Sequence, residues 1–145
     1  MKKLLLIISA VIFMSGVSFG QKMETIEESF RIEEEPYTVE IDMEAGEFEL
    51  RKSDEPGVVK IRVEYRAVRT DVQYKSRGDR LSLDIHNENW RDGDRSRLKT
   101  YIFLPEDKII DLDTRLKAGE LDCELGGLKL RNVEIRTYAG EATIR

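Results

Sequence analysis

The chain has 145 residues and a formal net charge of -5, with 37% charged and 40% hydrophobic residues. This acidic balance argues against binding to nucleic acid and against docking on anionic lipid, because both partners are negatively charged. The apolar residues follow regular patterns instead of being sparse, so the composition also excludes a disordered chain.

The N-terminus has the layout of a secretory signal peptide. Lys2 and Lys3 form a basic start, residues 4–14 are rich in apolar side chains, and small residues precede a predicted cleavage between Gly20 and Gln21. The apolar stretch is shorter than the roughly 20 residues that a membrane-spanning helix needs, so a cleaved leader is favoured over a retained anchor. We therefore expect an exported protein that is periplasmic, at the cell surface or secreted.

After the leader, apolar and polar residues alternate with the period of a β-strand. We expect an acidic N-terminal segment over residues 21–36 and a single all-β domain over residues 37–145. The predicted strands are residues 37–44, 48–50, 59–65, 72–74, 81–85 and 99–104, followed by a β region from Ile109 onward. Turns are predicted at residues 53–57 and 77–79, and a polar loop over residues 87–97.

The triplet Ala-Gly-Glu occurs in three matching segments. These are VEIDMEAGEFELR (39–51), LDTRLKAGELDCE (112–124) and VEIRTYAGEATIR (133–145). In each segment the apolar alternation shifts by one residue after the glycine, and a regular strand cannot keep one face buried through such a shift. A bulge or tight corner can, and glycine tolerates the positive φ that it requires. We therefore expect structural corners at Gly46, Gly119 and Gly140.

The last two of these segments begin 21 residues apart, which is a suitable length for one coil of a β-solenoid. We predict a β-solenoid-like or β-helix-like ladder in the C-terminal part of the chain, preceded by more irregular antiparallel strands. Equivalent residues then become neighbours: Leu112 and Val133, Leu116 and Thr137, Cys123 and Ile144.

Three stretches carry a resemblance to a known family: VVKIRVEYRA, RLSLDIHNEN and KTYIFLPEDKIIDLDTRLKAGELDCELGGLKLRNVEIRTYAGEATIR. They are similar to the adhesin-like domains of unknown function in bacterial exported and envelope proteins, over about residues 37–145. The resemblance implies a β-helix-like ladder and a surface or envelope role. Members of that family typically carry more repeats. Here the sequence stops inside a predicted strand at residues 144–145, so we expect an open edge for a partner or a second copy, or else a shortened copy of the fold.

The glutamates after the three glycines, Glu47, Glu120 and Glu141, would stack into a row of carboxylates. Such a row suits an acid pair for sugar chemistry or a calcium site. A solvated position at the corner is the favoured interpretation, because two coils offer few further ligands and the Asp-rich calcium-binding nonapeptide is absent. The sequence therefore predicts no metal and no cofactor.

A second outward row consists of Asp113 and Glu134, with Arg115 and Arg136 two residues further on. Diagonal pairs such as Asp113 with Arg136 would offset the stacking of like charges. With Tyr138 this row is a candidate strip for a carbohydrate or peptide, although a solvated charged face is the simpler interpretation.

The remaining candidates are single residues. Trp90 and Arg91 lie in the polar loop and are a candidate glycan or protein contact, unless Trp90 folds back over the core. Cys123 is the only cysteine, which excludes a disulfide within the chain, and its strand phase predicts burial. His86 is the only histidine, and no catalytic triad, phosphate loop or dinucleotide fingerprint is present.

These patterns predict a non-enzymatic, exported module that interacts with an unknown protein or glycan of the envelope. The alternative is a carbohydrate-active enzyme or glycan-binding protein on a β-helix. Its acids would be Asp113, Glu120, Glu134 or Glu141.

Overall fold

The computed structural model describes residues 23–66, 70–87 and 98–145. Within these ranges the chain forms strands and no helix, which confirms the all-β prediction. The strands are β1 (Met23–Arg31), β2 (Tyr37–Lys52), β3 (Val58–Arg66), β4 (Thr70–Arg77), β5 (Arg80–Asn87), β6 (Lys99–Leu104), β7 (Ile109–Cys123) and β8 (Lys129–Ile144). The predicted leader with Gly20 and Gln21, and the loop residues Trp90 and Arg91, lie outside the described residues. No helix long and apolar enough to cross a membrane is found in the described part.

All eight of these strands belong to one sheet with β2 at its centre. The first half of β2 pairs in parallel with β5, and its second half pairs in parallel with β6. Along its other edge β2 pairs in parallel with β7, and β7 pairs in parallel with β8. The antiparallel pairs β1–β3, β3–β6 and β4–β5 complete the sheet.

The sheet folds on itself, so that β1 and β4 meet although they lie at opposite ends of the path β1-β3-β6-β2-β5-β4. The hydroxyl of Tyr74 on β4 donates to Glu28 Oε1 on β1 at 2.9 Å. The rings of Phe30 and Tyr74 lie 6.1 Å apart, and the amide of Glu33 donates to the carbonyl of Gly78 at 3.1 Å. This closure encloses the core.

The core is built from the inward residues of the predicted strands. Its largest fully buried side chains include Tyr37, Phe48, Met43, Leu50 and Ile61. Each such side chain stabilises the fold by roughly 1.5–3 kcal/mol through loss of apolar surface to water. The inner phases predicted for residues 59–63, 81–85 and 112–116 are confirmed.

The shift of the apolar alternation after the glycine is present in β2 and β7. Ala45 and Phe48 are buried on either side of Gly46, and Ala118 and Leu121 on either side of Gly119. Each of these two strands thus keeps one face in the core along its whole length. Gly46, Gly119 and Gly140 have φ values of 127°, 135° and 117°, a region that residues with side chains rarely adopt.

The three Ala-Gly-Glu segments lie side by side in register. The predicted neighbours across β7 and β8 are confirmed: Leu112 with Val133, Leu116 with Thr137 and Cys123 with Ile144. β2 is a third member, since Gly46 pairs with Gly119 as Gly119 pairs with Gly140. We call these three residues the glycine row.

Two inward residues of β8 are exposed although they continue rows that are buried in β2 and β7. Val133 is 45% and Ile144 is 53% exposed, whereas their neighbours on β7, Leu112 and Cys123, are 2% and 0% exposed. The reason is that β8 pairs with β7 alone among the described strands, so nothing covers the last set of inward positions.

The acidic N-terminal segment takes part in the sheet, which the sequence pattern did not predict. β1 pairs antiparallel with β3, and Phe30 and Ile32 contribute to the core. The alternation of apolar residues in β1 is hard to recognise because one inward position holds a glutamate, Glu28. This residue is 4% exposed and accepts a hydrogen bond from the Tyr74 hydroxyl.

Candidate binding surface

The outward side chains of β2, β7 and β8 form a polar face in which equivalent residues stand in rows. These rows include Glu40–Asp113–Glu134, Asp42–Arg115–Arg136 and Glu47–Glu120–Glu141. The sequence-predicted candidates Asp113 and Glu134 are therefore direct neighbours, as are Glu120 and Glu141. Glu47 has a cationic partner in Lys99, 3.7 Å away.

An open groove of about 350 Å³ crosses this face over β5, β2 and β7. Its lining is Glu40, Ile41, Asp42, Ser82, Leu83, Asp84, Asp113 and Arg115. Arg115 Nη1 lies 3.7 Å from Asp42 Oδ2, so the cation within the groove offsets part of its negative charge. Among the described residues no group of three or more His, Cys, Asp or Glu side chains is arranged to hold a metal ion.

The predicted diagonal pair between Asp113 and Arg136 does not form. Arg136 instead donates from Nε to Glu134 Oε1 at 2.7 Å, because the two residues lie two apart on the same side of β8. Tyr138 follows on the same face and is 67% exposed. The strip of Glu134, Arg136 and Tyr138 is therefore accessible. Its one carboxylate, that of Glu134, is already paired with Arg136 from the same strand.

A carboxylate–cation–imidazole group lies in the same face near the glycine row. Glu44 Oε1 is 3.3 Å from His86 Nδ1 and 3.9 Å from Lys117 Nζ, and Glu44 Oε2 accepts the amide of Asn87 at 3.1 Å. The His86 side chain is 56% exposed, and among the described residues no group of three or more potential metal ligands includes it. The group ties β5, β2 and β7 together.

Asp122 links the first and the last of the three parallel strands, and sequence reasoning missed it. Arg51 Nη2 on β2 donates to Asp122 Oδ2 at 3.1 Å, and Arg145 Nη2 donates to Oδ1 at 3.1 Å. The hydrogen bond from Arg51, helped by that from Arg145, holds the pKa of Asp122 below its usual range. The sequence did carry a signal for this contact, since Arg51 and Arg145 occupy equivalent positions in their Ala-Gly-Glu segments.

Replacing Asp122 is expected to change how stability depends on pH. Because folding lowers the pKa of Asp122, its stabilisation is fully present above the unfolded value of about 3.9 and is lost as the pH falls through the folded value. The gap in melting temperature between the wild type and Asp122→Asn should therefore be largest near neutral pH and close in acid. Asp54→Asn is the control: the Asp54 side chain is 98% exposed and its contact with Lys60, at 3.8 Å, is a surface ion pair that contributes little, so this variant should lower the melting temperature much less than Asp122→Asn. A gap that stays constant down to about pH 2 would contradict the assignment.

The start of β8 is held by a second ion pair beside a register shift. The pairing of β7 with β8 is interrupted between Ile110 and Asp111, where β8 has one extra residue. Arg131 Nε donates to Asp111 Oδ1 at 3.0 Å and Asn132 Nδ2 to the same oxygen at 3.2 Å; the bond from Arg131 lowers the pKa of Asp111. A groove of about 530 Å³ opens beside this shift and runs past Asp113, Glu134 and Val133.

The free edge of β8, which we call the β8 edge, is the second surface that stands out. Its inward residues Val133 and Ile144 are about half exposed, and Ile135 is partly buried. Beyond the strand, Arg145 continues the pairing, since its amide donates to Cys123 O at 2.9 Å and its carbonyl accepts from Leu125 at 2.6 Å. An ordered strand edge that combines unpaired backbone groups with exposed aliphatic side chains is a template for pairing.

Cys123 is buried, as its strand phase predicted. Burial, with a contribution from the neighbouring Asp122 charge, raises the pKa of its thiol to about 12. A thiol with such a pKa stays protonated at neutral pH and is a poor nucleophile. This residue belongs to the core.

Comparison with known proteins identifies a matching family and a solved structure with a similar fold. The family model described as the N-terminal domain of toast_rack, DUF2154, matches residues 16–145. The crystal structure of a putative cell adhesion protein from Clostridium sporogenes is similar with a TM-score of 0.62 at 16% identity, over 81% of this chain and 59% of that one. This likeness shows a shared fold.

A putative adhesin from Parabacteroides distasonis matches 85% of this chain and 56% of its own, at 11% identity and a TM-score of 0.38. The chain thus spans less than two thirds of either solved structure. A comparison with curated proteins finds no match.

Proposed function

Because this chain belongs to the family of the N-terminal domain of toast_rack, we propose that it is an exported, adhesin-like module of the cell envelope that acts by binding. The observation that carries the proposal is the β8 edge, where half-exposed aliphatic residues continue rows that are buried in the neighbouring strand. An edge strand with exposed apolar side chains is a place where a further strand or a partner can pair. The fold shared with a protein described as a putative cell adhesion protein supports the same role.

In this proposal the three Ala-Gly-Glu strands are the rungs of a short β-solenoid-like ladder. The parallel register of β2, β7 and β8 supports it, as does the repeated shift of buried positions at the glycine row. The remaining strands then form the closed end of the ladder, since β5 and β6 pair with the other edge of β2. The partner, or a second copy of the chain, meets the ladder at its open end.

The outer face supplies secondary contacts in the proposal. Asp113, Glu134 and Tyr138 lie side by side on β7 and β8 and are accessible to a polar ligand. Trp90 and Arg91 are proposed contacts on sequence grounds alone. Export through the predicted leader places these surfaces outside the cytoplasm.

A carbohydrate-active enzyme is the alternative. Neighbouring carboxylates such as Glu120 and Glu141 are about one strand spacing apart, which is roughly the separation of a retaining pair. Catalysis by such a pair also needs a site that excludes water around the bond to be cleaved. Glu120 and Glu141 are both exposed on the outer face, and the grooves of that face are open to solvent, so the arrangement favours binding.

The test combines binding and turnover on one preparation. Saturable binding of the purified protein to isolated bacterial envelopes or to a glycan array, without release of sugar, is the expected result. The matched variants are Val133→Lys on the β8 edge, which should weaken binding, and the double variant Asp113→Ala/Glu134→Ala, which should weaken it less. Absence of saturable binding to any envelope or glycan would overturn the module. Sugar release that disappears when Asp113, Glu120, Glu134 and Glu141 are replaced by alanine would establish the enzyme instead.

A further inference from the structure

We propose that the outer face of the sheet binds a neutral glycan at Tyr101 and Phe103, whose aromatic rings stack against the sugar rings. We call these two residues the aromatic pair. The inference rests on the proposed function, because it names a ligand class for a module that acts by binding. It concerns a separate part of the surface, since β2 and β7 lie between the strand of the aromatic pair, β6, and the β8 edge.

The aromatic pair occupies outward positions of a strand that is paired on both edges. β6 pairs with β3 on one side and with the second half of β2 on the other. Its Thr100, Ile102 and Leu104 are buried in the core, whereas Tyr101 and Phe103 point outward and are partly exposed. Alternate residues of a strand lie on one face about 6.6 Å apart. The two rings therefore form one surface, which one or two sugar rings can span.

The residues that flank the aromatic pair in the neighbouring strands are all charged: Glu49 and Arg51 on β2, and Lys60 and Arg62 on β3. The guanidinium of Arg62 lies over the ring of Tyr101, 6.0 Å from its centre. This contact holds the ring in place before a ligand arrives, which reduces the entropy that binding costs. The aromatic pair is thus a pre-arranged apolar surface among groups that form hydrogen bonds.

The charges around the aromatic pair are balanced. In the described part of the chain each flanking cation is paired with a carboxylate: Arg51 with Asp122 at 3.1 Å, Lys60 with Glu55 at 2.9 Å, and Arg62 with Glu64 at 2.9 Å. Glu49 in turn lies 3.6 Å from Arg51. An anionic polymer would have to displace these carboxylates, and a cationic ligand would have to displace the guanidinium groups. The balance therefore favours a ligand without charge.

A sugar ring has the two properties that this surface requires. The C–H groups on its faces carry a partial positive charge and are attracted to the negative faces of aromatic rings. The hydroxyls on its edge both donate and accept hydrogen bonds, so they can bond to carboxylates and guanidinium groups that stay paired. An apolar peptide would instead remove the flanking charges from water without giving them new partners, which is costly. A neutral glycan is the ligand class that fits.

The test is an array of neutral and acidic oligosaccharides probed with the purified protein. Saturable binding to at least one neutral oligosaccharide is the expected result. The double variant Tyr101→Leu/Phe103→Leu should bind it at least about ten-fold more weakly, because leucine keeps an apolar side chain on the strand but has no ring face. Tyr101→Phe keeps the ring face and should bind within about three-fold of the wild type. Far-UV circular dichroism checks that each variant is folded.

Ile109→Ser is the matched control. It removes another outward apolar side chain, which is 42% exposed at the start of β7, and it should leave sugar binding unchanged. Failure to bind any neutral oligosaccharide, or affinity that survives the double leucine variant, would overturn the proposal. Binding to acidic sugars alone would overturn the assignment of a neutral ligand. Binding to envelopes that persists in the double variant would overturn the role of the aromatic pair and leave the proposed function standing.

Discussion

Gly119→Ala is expected to destabilise the protein by about 3–5 kcal/mol, a large fraction of the 5–15 kcal/mol that holds a domain of this size together. Gly119 lies in the middle of the glycine row, with a φ of 135° that alanine adopts only at a cost of about 1–3 kcal/mol. The new methyl group would also overlap the carbonyl of Gly46, and neither β2 nor β8 leaves β7 room to move aside. Urea unfolding followed by far-UV circular dichroism measures the change.

Gly126→Ala is the matched control for this variant. A Cβ at Gly126 would have no neighbour within 4 Å, so the substitution should be neutral or slightly stabilising. Gly140→Ala should fall between the two. It meets the same kind of overlap with Gly119, but β8 is an edge strand and can separate locally from β7. Equal stability of the Gly119 and Gly126 variants would show that the close packing of the glycine row is not required.

The repeat was predictable because it is a local pattern. A period of two that shifts after each glycine can be read from thirteen residues at a time, and this was enough to predict the neighbours of Leu112, Leu116 and Cys123. The place of β2 beside β7 could not be read in this way. The two segments are far apart in the chain, and only the folded sheet brings Gly46 against Gly119.

What the sequence pattern missed depends on partners from other strands. Glu28 looks like a surface residue, yet it is buried on β1 because Tyr74, from the opposite end of the sheet, donates a hydrogen bond to it. Asp122 looks like one carboxylate among many, yet Arg51 and Arg145 converge on it from two strands. The exposure of Val133 and Ile144 was missed for the same reason, since burial depends on a neighbour that the alternation cannot reveal.

The row formed by Leu50, Cys123 and Ile144 gives the second large effect and tests the open edge directly. Leu50 is fully buried at the first position of the row, and Leu50→Ala should cost about 2–5 kcal/mol through lost burial and the cavity left behind. Ile144 holds the equivalent position on β8 and is 53% exposed. Ile144→Ala should therefore cost less than about 1 kcal/mol, because an exposed side chain gives up little buried surface.

Leu50 and Ile144 are both aliphatic and occupy equivalent positions in one row. The difference between the two losses of unfolding free energy therefore reports whether the β8 edge is covered. Chemical denaturation at low and high protein concentration is the measurement. If Ile144→Ala remains mild at every concentration, the last rung is open in solution and available to a strand from outside. If its cost rises toward that of Leu50→Ala as the protein is concentrated, a second copy covers Ile144. The β8 edge is then an interface between copies, because only a neighbour on that edge can turn a half-exposed isoleucine into a core residue.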